Sequence, residues 1–123
     1  MKRVILVIAL LAAAAVFSCK GEATIDLKCG QNAKELNIAV GSSFTGKCPA
    51  NCTGGSVWGT DTYTADSSVC AAAVHAGLLK IEGGTVRVTM KPGLKEYKGS
   101  EKNGIKSGPW GSFEKSFVLE KKQ

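Results

Sequence analysis

Histidine occurs once in the 123 residues, methionine twice and proline three times. A single histidine leaves little material for acid–base chemistry near neutral pH or for an imidazole-rich metal site. Aromatic residues make up only 7% of the chain, so a core has to be built from small side chains, and fifteen glycines imply many tight turns. No apolar run reaches the roughly twenty residues that a membrane-spanning helix needs. No repeat or low-complexity tract is present, which excludes solenoid architectures. The length allows one domain and argues against two, and it excludes the (β/α)₈ barrel, which needs roughly twice as much chain. Lys2 and Arg3 at the extreme N-terminus contribute two of the net charge of +6, and the remaining +4 is mild. Such a balance does not call for a nucleic-acid partner, and none is expected.

What is present at the N-terminus is an address. Lys2 and Arg3 precede an unbroken apolar stretch from Val4 to Val16, closed by Phe17, Ser18, Cys19 and Lys20. This is the layout of a secretory signal peptide over residues 1–18. Val16-Phe17-Ser18-Cys19 resembles a bacterial lipobox, which implies cleavage before Cys19 and a diacylglycerol thioether on its sulfur. An ordinary signal peptidase accepts the same bond, so a periplasmic or secreted product is the alternative to an envelope lipoprotein. Lys20 after the cysteine points to the outer membrane. Several acyl chains at one terminus give stable anchoring where a single chain is marginal. The membrane is therefore the first expected partner, with residues 19–25 as lipidated cysteine and tether.

Five cysteines, Cys19, Cys29, Cys48, Cys52 and Cys70, leave an odd thiol in an exported chain. Lipid on Cys19 removes the oddness and leaves four for two disulfides in an oxidising compartment. Four cysteines allow three connectivities, and spacing alone does not choose among them.

Past the tether, Thr24 to Cys29 alternates polar and apolar residues as a strand does, and Leu36 to Val40 is a second candidate strand. Gly41 to Gly46 turns into a short extended piece, Cys48 to Gly55 is loop by composition, and Val57 to Thr60 is extended. Asp66 to Leu79 carries the one convincing helix, with Asp66 or Ser67 as N-cap and Gly77 as the left-handed stop. Its centre, Val69 to Ala76, is apolar nearly all round and small, so it is expected to be buried with backbone packed close against it. Leu78 to Ile81 reads as extended and Glu82-Gly83-Gly84 as a turn. Thr85 to Met90 alternates strictly and is the best strand in the chain. Pro92-Gly93 breaks it, residues 93–111 with five glycines read as one long loop, and Ser112 to Glu120 supplies a closing strand.

Several of these pieces share an order. Cys48-Pro-Ala-Asn-Cys52 is followed by Val57-Trp58-Gly59-Thr60 and Tyr63-Thr64, then by Asp66-Ser-Ser-Val-Cys70-Ala-Ala-Ala-Val-His75-Ala-Gly77. Gly83-Gly84 precedes the Val86/Val88 strand. Tyr97-Lys-Gly99-Ser100, Asn103-Gly104-Ile105 and Gly108-Pro109-Trp110-Gly111-Ser112-Phe113 close the set. The chain resembles the LCCL domain family over residues 26–118. The resemblance implies an α+β fold, a twisted, antiparallel-rich β structure wrapped around one central helix at about 66–77, in a domain spanning 26–120. It implies two disulfides, Cys29–Cys48 and Cys52–Cys70. It gives Asp66, Ser68, His75 and Gly77 structural roles in the helix motif. Domains of this family usually sit inside larger extracellular proteins, some linked to lipopolysaccharide recognition.

Function is then expected to be binding rather than catalysis. His75 lacks a well-placed nucleophile, and a helix-terminal histidine bonded to a loop carbonyl explains it better than a base does. Cys48, Cys52, Cys70 and His75 only loosely match a zinc site, and an oxidising compartment favours disulfides, so no metal or other cofactor is expected. Trp58 reads as core. Trp110, in Gly-Pro-Trp-Gly, reads as the aromatic contact residue. Lys91, Lys95, Lys98, Lys102 and Lys106 recur through the glycine-rich region, and Lys95, Lys98, Lys102 and Lys106 with Trp110 are the candidate ligand contacts. The expected ligand is an anionic glycolipid, a glycan or a protein; the alternative is a structural envelope protein without a small ligand.

Overall fold

The computed structural model describes residues 22–122; the leader, Cys19 and the first tether residues lie outside that range. The fold is α+β. Its strands are β1 (Thr24–Asp26), β2 (Ser43–Cys48), β3 (Gly59–Thr60), β4 (Thr62–Thr64), β5 (Gly84–Pro92), β6 (Glu101–Lys102), β7 (Ile105–Lys106) and β8 (Lys115–Lys121), with one α-helix among the described residues, α1 (Val69–His75). Six strands form a mixed sheet in the order β1-β2-β5-β8-β4-β3, in which only β1 and β2 run parallel. Among the described residues no helix is long and apolar enough to cross a membrane.

The alternation in β5 decides the layering. Val86, Val88 and Met90 are fully buried and face one way. Register places Phe44 opposite Val88, Phe117 opposite Met90 and Tyr63 opposite Phe117, so the same face carries the buried aromatics. Arg87, between them, faces the other way. It sits opposite Thr45 and Glu120 and binds the carboxylates of Glu22 and Glu120. On that polar face the Ser43 and Thr89 hydroxyls lie 2.8 Å apart.

All seven residues of α1 are buried, and the helix joins the core with the apolar sheet face. Ala71, Ala72 and Ala73 let surrounding backbone come close, which is how a sequence poor in large apolar residues still fills its core. The helix is shorter than 66–77. Ser67 N–H donates to Thr64 O and the Thr64 hydroxyl donates to Asp66, so these residues make a turn. The cap is Ser68, extended at φ −62° and ψ 120°, whose hydroxyl accepts from Ala71 N–H. At the other end Gly77 takes φ +81°, Gly77 N–H donates to Val74 O and Leu78 N–H to Ala73 O. This paired closure is the Schellman arrangement and explains the glycine.

The disulfides are Cys29–Cys52 and Cys48–Cys70, not the Cys29–Cys48 and Cys52–Cys70 that the resemblance implied. The loops have nearly the same length either way, so chain entropy does not discriminate and position decides. Strand β2 delivers Cys48 to the first turn of α1, 5.6 Å in Cα separation from Cys70. Cys52 then meets Cys29, just past β1, at 4.8 Å.

Three local expectations change for local reasons. Leu36–Val40 is not a strand. Asn32 and Glu35 exchange backbone-to-side-chain hydrogen bonds, each 2.9 Å, and set a 3₁₀ turn over Lys34–Leu36 that ends at Asn37 with φ +54°. Leu78–Ile81 is turn, closed by Gly83 N–H to Lys80 O. Residues 93–111 are not an open loop, and that segment builds the candidate site.

Candidate functional site

Between β5 and β8 the chain makes an irregular hairpin. Phe113 N–H donates to Leu94 O, Tyr97 and Trp110 exchange both backbone bonds, and Ser107 N–H donates to Ser100 O. The ladder then becomes regular as β6 and β7. Asn103 (φ +52°) and Gly104 (φ +80°) close it, both central residues left-handed, as a two-residue hairpin turn requires. Asn-Gly is the sequence signal that would have located this hairpin in advance. The glycine-rich composition around it masked the signal.

The hairpin folds back over the end of α1. Ile105 enters the core. The Asn103 side-chain amide donates to His75 O at 2.9 Å. His75 is fully buried, with Nδ1 2.9 Å from the Tyr63 hydroxyl and Nε2 3.2 Å from both Ser100 O and Ser100 Oγ. A carbonyl only accepts, so Nε2 carries the ring proton and Nδ1 accepts from Tyr63. Burial pushes the Tyr63 phenol up to about 12, with the Asp61 backbone amide pulling the other way, so the phenol keeps the proton it donates. In this tautomer the nitrogen facing Ser100 is not free to act as a base, and Ser100 Oγ already lies 2.6 Å from Thr60 Oγ1. The arrangement of Tyr63, His75 and Ser100 is a clasp. The zinc donors are equally committed, since Cys48, Cys52 and Cys70 are in disulfides and His75 uses both nitrogens.

Outside this clasp lies an open surface. The Trp58 and Trp110 rings sit 5.0 Å apart between centroids and inclined at 55°, and Trp110 is 47% exposed. Trp58 is half-buried rather than core. Gly108 lies on its ring, where a Cβ would come within 2.7 Å of Trp58 Cζ3. Pro109 is shared by three adjoining depressions. One of about 430 Å³ is lined by Glu96, Tyr97, Lys98, Ser100, Glu101 and Lys106. One of about 300 Å³ runs over Ser56, Trp58, Lys106 and Gly108. One of about 610 Å³ holds Lys95, Glu96, Tyr97 and Trp110.

The structure therefore gathers Trp110, Lys95, Lys98 and Lys106 at one place and leaves Lys102 out. Its ammonium points to Asp61 at 3.8 Å. Buried Tyr97, half-buried Trp58 and exposed Pro109 line these depressions, and no periodicity or spacing in the sequence marks them as a floor. Ser68 and Gly77 serve the helix ends, Asp66 accepts from the Thr64 hydroxyl in the turn before the helix, and Ser68 also donates to Cys29 O.

The family model of the LCCL domain matches residues 17–117. Clotting factor C of Tachypleus tridentatus is 41% identical over 102 residues, covering 81% of this chain and 10% of that protein. Vitrin of Homo sapiens is 44% identical over 78 residues, covering 62% of this chain and 12% of that protein. Cochlin of Cavia porcellus is 42% identical over 76 residues, covering 60% and 14% respectively. The chain thus spans about a tenth of the length of the curated relatives it matches.

Proposed function

The chain belongs to the LCCL domain family, and from that premise we propose that it is an exported binding module, fixed to the outer membrane by lipid on Cys19. It holds an anionic glycolipid or glycan on the surface around Pro109. The observation that carries this reading is the exposed Trp110, braced on Trp58 and flanked by Lys95, Lys98 and Lys106. An exposed indole offers a face to the C–H side of a sugar ring, and ammonium groups reach its acidic substituents. The hydrogen-bonded hairpin presents these groups already placed, which lowers the ordering cost of binding. The His75 clasp supports a binding role over a catalytic one, because it uses the imidazole to hold the hairpin.

Two measurements test the reading. The intact mass of membrane-extracted protein is expected to show a terminus at Cys19 carrying acyl chains; an unmodified thiol there sinks the anchor. Titration of the full chain with an acidic hexasaccharide, followed by tryptophan fluorescence, is expected to saturate. Binding is expected to weaken at least ten-fold in Trp110→Ala and to fall with added salt. Binding indifferent to Trp110→Ala would move the site elsewhere.

A further inference from the structure

The charge around Pro109 is not of one sign. Lys98 and Lys106 share the 430 Å³ depression with Glu96 and Glu101, and Lys95 shares the 610 Å³ depression with Glu96. All five side chains are exposed. Glu101 and Lys106 face each other across the β6–β7 ladder, a position in which opposite charges ordinarily pair. They form no ion pair, and neither do Lys95, Glu96 and Lys98; the ion pairs among the described residues are Lys47–Asp26, Arg87–Glu22, Arg87–Glu120 and Lys102–Asp61. The surface thus presents three ammonium groups and two carboxylates, interleaved and uncommitted, beside an exposed indole. A ligand carrying only acids would meet the two carboxylates as repulsion at close range, while one carrying only amines would meet three ammonium groups.

We propose that the ligand is an amphoteric glycan, one that bears free amino groups as well as acid groups along a sugar chain. Its acids meet Lys95, Lys98 and Lys106, its amines meet Glu96 and Glu101, and a sugar face lies on Trp110. The three contiguous depressions suit a chain of several sugars crossing Pro109 better than a single ring. This inference rests on the binding role proposed above and narrows its ligand.

A matched pair of probes tests it. One is a hexasaccharide of alternating glucuronate and glucosamine with free amines; the other is its N-acetylated parent, identical in length and acid content. A glucosamine hexamer supplies the cation-only control. Against the full chain in detergent, the free-amine hexasaccharide is expected to bind at least ten-fold tighter than its parent and the control. Glu96→Gln and Glu101→Gln should each weaken the free-amine probe several-fold and leave the parent unchanged or tighter, while Lys98→Gln and Lys106→Gln weaken both. If the parent binds as well as the free-amine form, and both glutamate variants tighten it, the amphoteric assignment is overturned while the anionic reading stands. If no probe binds, or Trp110→Ala changes nothing, the binding surface itself is wrong. A glucosamine hexamer that binds best also overturns the inference.

Discussion

The side-chain amide of Asn103 donates to the backbone carbonyl of His75 across 28 residues of sequence, at 2.9 Å. That bond sets the tip of the hairpin on the C-terminus of α1, where unsatisfied carbonyls need donors. Asn103 thereby does two things, since its left-handed φ of +52° also closes the hairpin turn.

Asn103→Ala removes the donor and puts an unfavourable residue at positive φ. The expected cost is about 1–2 kcal/mol in urea unfolding. Asn103→Asp keeps the turn but places a carboxylate against a carbonyl at the negative end of the helix, so it should destabilise too, and less so in high salt. An Asp variant as stable as the parent would show that the bond to His75 contributes nothing.

Tyr63→Phe leaves His75 Nδ1 buried without its donor, an expected loss of about 1–3 kcal/mol. The phenol also has a pH signature. Its pKa rises from 10 in the unfolded chain to about 12 in the fold. The associated stability is fully present below pH 10, where both states hold the proton. It is lost as pH rises toward 12, because the unfolded chain releases a proton that the fold retains. Denaturation midpoints measured from pH 8 upward should fall through this window in the wild type and fall less steeply in Tyr63→Phe.

Peptide mapping without reduction should give Cys29 linked to Cys52 and Cys48 linked to Cys70. Replacing the Cys48–Cys70 pair by alanines is expected to cost about 3 kcal/mol, the entropy of a loop of this size. Recovery of a Cys29–Cys48 peptide from native protein would contradict the fold as described.

Gly108→Ala should disturb the aromatic pair, because the new methyl would lie 2.7 Å from the Trp58 ring. Overpacking of this kind costs about 1–3 kcal/mol. The near-ultraviolet circular dichroism of the coupled indoles should change with it. Trp110→Ala removes the ring that packs on Trp58, and a loss of about 1 kcal/mol is expected. Unfolding measured beside binding separates this cost from the loss of a ligand contact.

The residues differ in how much they say alone. Thr85 to Met90 announces a strand through alternation, because the pleat itself has period two. Gly77 announces the helix stop, because few other residues tolerate its φ of +81°. The apolar run from Val69 to Ala76 announces a buried helix for want of a polar face. The order of the cysteine, tryptophan and His-Ala-Gly motifs identifies the family. All of these depend on neighbours within a few residues. Asn103-Gly104 carried an equally local signal for the hairpin.

Other features are properties of register. Cys48 finds Cys70 because β2 ends beside the first turn of α1, and no spacing rule contains that distance. His75 becomes a clasp only when β4 brings Tyr63 to one nitrogen and the hairpin brings Ser100 to the other. Lys102 and Lys106 look alike in a run of recurring lysines, yet one faces Asp61 and the other lines the cleft. By itself the sequence determined the strongest elements, the helix stop and the family. The tertiary structure alone decided the disulfide partners, the protonated nitrogen of His75 and the mixed charge around Trp110. Contacts between segments tens of residues apart are set by sheet order and packing, which leave no periodic trace in the chain.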